Sequence, residues 1–319
     1  MLGFPLHFAP YLKPVIWGGS RIAPFKRLSA GAEGIGESWE LSAVPGHVSV
    51  VDRGPLAGKT LTELIALHGA DLMGRANYER YGTSFPLLVK IIDARADLSV
   101  QVHPDDALAQ RRHGCAGKTE MWHIIETEPG ARIHVGLNAP LTPGEYERRV
   151  ADNSIMDVIA SYESAPGDTF FLPAGRIHAI GAGNLLAEIQ QTSDITYRIY
   201  DYDRRDAEGN PRELHTELAK DAIDYTVYPS YRTTAGADGV LAQCDYFDVR
   251  RVELTDGLSR PLSHERDSFT IVMCLGGTAR IKDAEGNVTE IGRGDTLLYP
   301  AVMQGLVAEG EGILLTVQA

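Results

Sequence analysis

Apolar and polar positions alternate with a period of two through much of this chain, in short runs broken by Gly and Pro. That spacing predicts strands and turns in place of long helices. Residues 85–92 form a continuous apolar run interrupted by Lys90. It reads as a strand, and its lysine reads as an edge residue with the ammonium in water. Pointed into a cavity, the same lysine would meet an anion. Residues 98–103, 169–172, 185–190 and 195–200 are further strands. The segment around Glu37, Trp39 and Leu41 reads as a half-buried strand with these three side chains on one face. Helices are few. Thr60 and Glu63 make a capping box ahead of the Leu61, Leu64, Ile65 and Leu67 stripe. Thr142 with Pro143 and Glu145 opens a second helix, through Val150. Asn153 or Ser154 caps a third over 155–160, and 215–224 is a fourth. Residues 228–239 are polar and turn-rich, a candidate linker, and beyond them strands alternate with turns to the end.

The chain also echoes itself. GDTFFLPAG at 167–175 returns as GDTLLYPAV at 294–302, which signals a duplicated β unit. The position matching His178 is Gly305 in the second copy. These features divide the chain into residues 1–235 and a smaller β unit at 236–319.

One stretch, residues 99–123, gathers chemistry. Gln101 and His103 share one face of a strand that Pro104 ends. Asp105 or Asp106 caps a short helix that Gly114 terminates. The chain then returns with Lys118 and Glu120, again two apart. An amide oxygen, an imidazole and a carboxylate can ligate a divalent metal, and the ammonium can sit beside a substrate oxygen.

Composition narrows the field. A net charge of −13 excludes general affinity for nucleic acid or anionic membrane. An anionic ligand would need basic residues concentrated locally. Three cysteines without a CxxC pair suit a reducing compartment. The start of the chain lacks the pattern of a signal peptide, and no long apolar run predicts a membrane span. A cytoplasmic protein, monomer or homodimer, is expected.

The frame G-D-x-x-x-x-P-x-G-x-x-H at 167–178 resembles the second motif of the cupin superfamily. The resemblance implies two small antiparallel β barrels with short helical inserts, a bicupin in a mainly β chain. It also implies a metal inside the first barrel, held by His178 and by residues of the first motif, here Gln101-x-His103 and Glu120. LLVKIIDARADLSVQVHP, the K-x-E-M-W block at 118–122, the Asp194 to Arg198 spacing and DAEGNPRELH at 206–215 are similar to type I phosphomannose isomerases of the short bacterial form. That likeness runs from about Trp17 to His215. It implies a zinc-dependent aldose–ketose isomerase acting on mannose 6-phosphate and fructose 6-phosphate through a cis-enediol. The implied zinc ligands are Gln101, His103, Glu120 and His178. Arg198 falls on the family's active-site arginine, and Lys90, Lys118 and Asp194 on positions lining the substrate cleft. Trp17 lies in the VIWGG segment. Long-form enzymes carry a histidine just before the lysine of this block, where this chain has Gly117. The proton carrier is left among Asp194, Glu120, Lys118 and a metal-bound hydroxide, and the phosphate anchor between Arg198 and Lys90.

Overall fold

The structure is a computed structural model that describes residues 2–29, 33–205, 209–236, 238–255, 257–262 and 266–319. Of the DAEGNPRELH stretch, residues 206–208 lie outside the described residues. The strands form antiparallel sheets of five, seven and eight strands, stacked face to face.

The seven-stranded sheet is the middle layer, and its sequence shows why. In the strand Leu87–Ala94, Leu87, Val89 and Ile91 enter one core with Ile271 and Met273 of the eight-stranded sheet. Ile92 of the same strand packs on the other face with Val135 and Ile180 of the five-stranded sheet. A strand covered on both faces needs apolar residues at every position but those with a task. Lys90 is one of those. It is buried and interior, with Asn184–Gln191 paired on one side and Ile35–Leu41 on the other. The expected edge position is therefore wrong. Burial on both faces produces the same unbroken run as an edge, and only its neighbours distinguish them. Likewise Ile35–Leu41 is buried along its whole length, not half-buried.

The outer face of the five-stranded sheet is covered by the helices Pro143–Ala151 and Thr216–Ala222, through Tyr146, Val150 and Ala219. Thr142 caps the first by accepting from the Glu145 N–H. Thr60 and Glu63 cap Leu61–His68 reciprocally. The third expected helix is only a 3-10 turn, Ile155–Val158, followed by the strand Ile159–Glu163. Residues 228–239 are more than a linker. Arg232–Thr233 pairs with Thr169–Leu172, and the buried Tyr231 hydroxyl donates to the Leu137 carbonyl.

Two small antiparallel barrels are expected; among the described residues the strands form antiparallel sheets, none of which closes into a barrel. Among the described residues no ladder joins the edges of the five- and seven-stranded sheets. Pro173 follows directly after Thr169–Leu172, and Pro104 follows two residues after Val100–Val102; neither has an N–H to donate to a ladder. The two copies of Gly-Asp-Thr do occupy like places. Each turns into a short strand, Thr169–Leu172 or Thr296–Tyr299. The glycines have φ of +92° and +86°, a conformation that favours a residue without Cβ. The strand Leu6–His7 joins the C-terminal eight-stranded sheet beside Thr296–Tyr299.

Candidate active site and metal centre

Strand register assembles the site. In the five-stranded sheet Gln101 lies opposite His178 on one side and Arg198 on the other. Residues opposite one another on an antiparallel pair share a face, so an amide, an imidazole and a guanidinium stand in one row. The facing seven-stranded sheet presents Trp39, Lys90, Glu188 and Trp122 in register, with Glu120 beside Gln190.

Ligand atoms of His103, Glu120 and His178 come together between these rows, all within 4.8 Å of one another and all buried. His178 Nε2 is 3.3 Å from Glu120 Oε1, and His103 Nε2 is 3.6 Å from Oε2. The Gln101 amide nitrogen is 3.2 Å from His178 Nε2. Each imidazole is fixed from behind: His103 Nδ1 is 2.8 Å from the Ile195 carbonyl, and His178 Nδ1 is 2.7 Å from the Arg176 carbonyl. A carbonyl only accepts, so both Nδ1 atoms carry hydrogen and both Nε2 atoms offer lone pairs. Burial keeps the rings neutral, lowering His178 to about 3 and His103 well below its usual value. Burial also pushes the Glu120 carboxyl up, to about 7, against the downward pull of Lys118.

Glu120 Oε1 is buried and has no hydrogen-bond partner. A bare carboxylate oxygen facing the His178 lone pair, with the His103 lone pair on the carboxylate's other oxygen, is a costly arrangement for a plain core and a ready one for a cation. Two nitrogens and a carboxylate oxygen, backed by carbonyls and joined by the Gln101 amide, fit a zinc-like divalent ion. Lys118 Nζ donates to Glu120 Oε2 and lies 3.1 Å from His103 Nε2.

This cluster borders a cleft of about 380 Å³ lined by Trp17, Lys90, Gln101, Lys118, Asp194 and Arg198. Trp17 is a buried wall packed with Ile92 and Trp122. Asp194 is exposed. Arg198 donates through Nη1 to the Glu213 carbonyl at 2.9 Å, while its Nε is buried without a partner. Asp201 is bound by Arg204 and Arg212 instead. Burial and the nearby Arg212 lower the Arg198 pKa from its usual value.

The histidine of long-form enzymes has no room here. A Cβ at Gly117 would lie 2.5 Å from the Asp105 carbonyl carbon. A proton carrier at that position is excluded by packing.

A family model described as phosphomannose isomerase type I, catalytic domain, matches residues 6–122. The chain is 37% identical to the mannose-6-phosphate isomerase ManA of Bacillus subtilis over 313 residues, 96% of each chain. It is 33% identical to the mannose-6-phosphate isomerase of Streptococcus mutans over 96% of each. The chain belongs to the type I phosphomannose isomerase family. Its fold also matches the crystal structure of the mannose 6-phosphate isomerase from Bacillus subtilis with a TM-score of 0.87, at 33% identity and 99% coverage of both chains.

In this member of the phosphomannose isomerase family, sequence reasoning overlooked several cleft residues: Glu37, Glu188, Trp39, Lys13 and Arg212. Glu188 and Lys90 each interrupt an apolar strand buried on both faces, and that pattern could have pointed to them together. Lys90 Nζ donates to Glu188 Oε1 at 2.8 Å and lies 3.6 Å from Glu37 Oε2. Trp122 Nε1 donates to Glu188 Oε2 and Trp39 Nε1 to Glu37 Oε2. Burial alone would raise Glu188, but Lys90 and Lys118 outweigh it and bring the group down to about 2. Lys90 is itself raised, since the two carboxylates outweigh its burial.

Lys90→Met should leave Glu188 buried without its ion partner, while Glu37 keeps Lys13 at 3.3 Å, lowering stability by about 3–5 kcal/mol in urea unfolding. A loss under about 1 kcal/mol would mean the pair contributes no more than a surface bridge. The pair also sets a pH dependence. Glu188 titrates lower in the folded state than its ordinary 4.5, so its contribution is complete above that pH and fades toward pH 2.

No helix among the described residues is long and apolar enough to cross a membrane.

Proposed function

We propose that this chain is a zinc-dependent isomerase that interconverts mannose 6-phosphate and fructose 6-phosphate through a cis-enediol. The observation that carries the reading is the buried His103, Glu120 and His178 cluster, with the Gln101 amide, beside a cation-lined cleft in a chain of net charge −13. His103, Glu120, His178 and Gln101 would hold the ion. Bound there, zinc would supply positive charge for the oxygen that becomes anionic as the carbonyl moves between C1 and C2.

The remaining work falls to side chains. A proton leaves C2 and returns to C1 while another passes between the two oxygens. Glu188 and Glu37 are engaged by Lys90, which leaves as proton carriers Asp194, exposed in the cleft, and Lys118, whose partner Glu120 would itself be drawn to the ion. Lys90 is engaged for the same reason and makes a poor phosphate anchor. Arg198, with a spare buried N–H and Arg212 nearby, is the better anchor, because a guanidinium meets phosphate with a fork of donors. Trp17 walls the sugar. We assign catalysis to the cupin-like unit 1–235 and read 236–319 as a metal-free counterpart, with Gly305 where the first copy has His178. The three free thiols support a reducing, cytoplasmic setting.

A coupled assay for fructose 6-phosphate formed from mannose 6-phosphate tests this directly. Chelation should abolish turnover and zinc should restore it, with solvent deuterium entering the fructose 6-phosphate at C1. Full activity in metal-stripped protein would overturn the zinc assignment. Transfer without any solvent exchange would speak for a hydride shift in place of the enediol.

A further inference from the structure

Lys118 sits on a segment whose backbone is held at three successive amides. The Gly117 N–H donates to Asp106 Oδ1 at 2.8 Å, the Lys118 N–H to the Pro104 carbonyl at 3.1 Å, and the Thr119 N–H to Gln191 Oε1 at 2.8 Å. Gln191 is tied to the same carboxylate, its Nε2 donating to Asp106 Oδ1 at 3.0 Å. Asp106 is thus the common anchor of both residues flanking Lys118. The approach is close enough that Gly117 has no room for a Cβ.

The other oxygen of Asp106 is held from a distant part of the chain. The Tyr246 hydroxyl donates to Asp106 Oδ2 at 2.8 Å. Tyr246 lies in the tight turn between the strands Val240–Gln243 and Asp248–Leu254 of the eight-stranded sheet. That turn is closed by the Cys244 N–H on the Phe247 carbonyl. It is pinned by Arg80, which donates to the Asp245 carbonyl at 2.9 Å, and by Phe247 packed edge-on against Phe171. Tyr246 does not line the cleft.

We propose that Tyr246 is a positioning residue for the isomerase reaction: through Asp106 and Gln191 it fixes the Gly117–Thr119 backbone, and hence Lys118. The C-terminal sheet, which supplies none of the ligand atoms at the cluster, thereby takes part in aiming the ammonium at His103 and Glu120. The inference rests on the proposed role of Lys118. A misplacement of even an ångström at a reacting group is costly in rate, whereas substrate contacts elsewhere in the cleft are untouched.

Tyr246→Phe keeps the ring and removes only the donor. It should lower kcat about fivefold to tenfold, leave KM within about twofold and leave the zinc content unchanged. Amide hydrogen exchange should speed up at residues 117–119 and not along Leu87–Ala94. In a double-mutant cycle with Asp106→Ala the kcat losses should fail to add, because both remove one relay. Unchanged kcat, additive losses, a drop in bound zinc or uniform loosening across the fold would each overturn the proposal. The exchange readout needs no substrate. Failure of the isomerase reading would appear in the wild-type assay, and failure of the relay would appear in the amides.

Discussion

His178→Ala is expected to lose bound metal and turnover together, with the fold intact. His178 Nε2 faces Glu120 Oε1 at 3.3 Å, and its other nitrogen is committed to the Arg176 carbonyl. Among the described residues no other imidazole joins the cluster to take its place, because His103 already serves the opposite side of the same carboxylate. Glu120 would keep Lys118 as its partner, so the buried charge stays compensated and the chain should still fold. If the ion contributes about 4 kcal/mol of oxyanion stabilisation, its loss costs roughly 10³-fold in kcat. Metal analysis beside the coupled assay, with circular dichroism as the folding control, measures all three. A variant that retained both zinc and activity would remove His178 from the ligand set.

Arg198→Ala separates a different function. The guanidinium is half-buried in the cleft wall, opposite Gln101 in the sheet, and ligates nothing in the cluster. Among the described residues the guanidinium donates to the Glu213 carbonyl, and its buried Nε has no partner there. Removing it should leave the metal content unchanged and lower kcat/KM by about 10²–10³-fold, the size expected for one preorganised donor. A rise in KM with kcat kept would place the group on the phosphate. A fall in kcat would place it on the developing enediolate. Wild-type kinetics would refute either role. Arg212, bound to Asp201 at 2.7 Å through Nε, lines the same end of the cleft and cannot simply substitute, because that carboxylate already orients it.

Much of this site can be read along the chain because its parts are local. Gln101 lies on the strand Val100–Val102 with His103 just beyond its end, Lys118 lies two residues before Glu120 at the head of Glu120–Thr127, and the Pro173–Gly175 turn places His178 at the head of its own strand. Period-two alternation and turn chemistry act over a few residues, so they are visible without a fold. Lys90 was misplaced and Glu188 overlooked because a strand buried on both faces hides its register. The Lys90–Glu188 pairing spans 98 positions and appears only when the two strands lie side by side. Tyr246 was invisible for the same reason, since nothing near it in sequence hints at Asp106.

The sequence alone determined the strand-rich character, the cap residues, the duplicated Gly-Asp-Thr turn and the residue types able to bind a metal. These depend on backbone preferences and side-chain chemistry, which are properties of short segments. Only the tertiary structure decided that no sheet among the described residues closes into a barrel, that Lys90 is interior and ion-paired, and that a C-terminal turn holds the Lys118 segment. Those outcomes depend on which strands become neighbours, and burial then sets the energy of every charge between them.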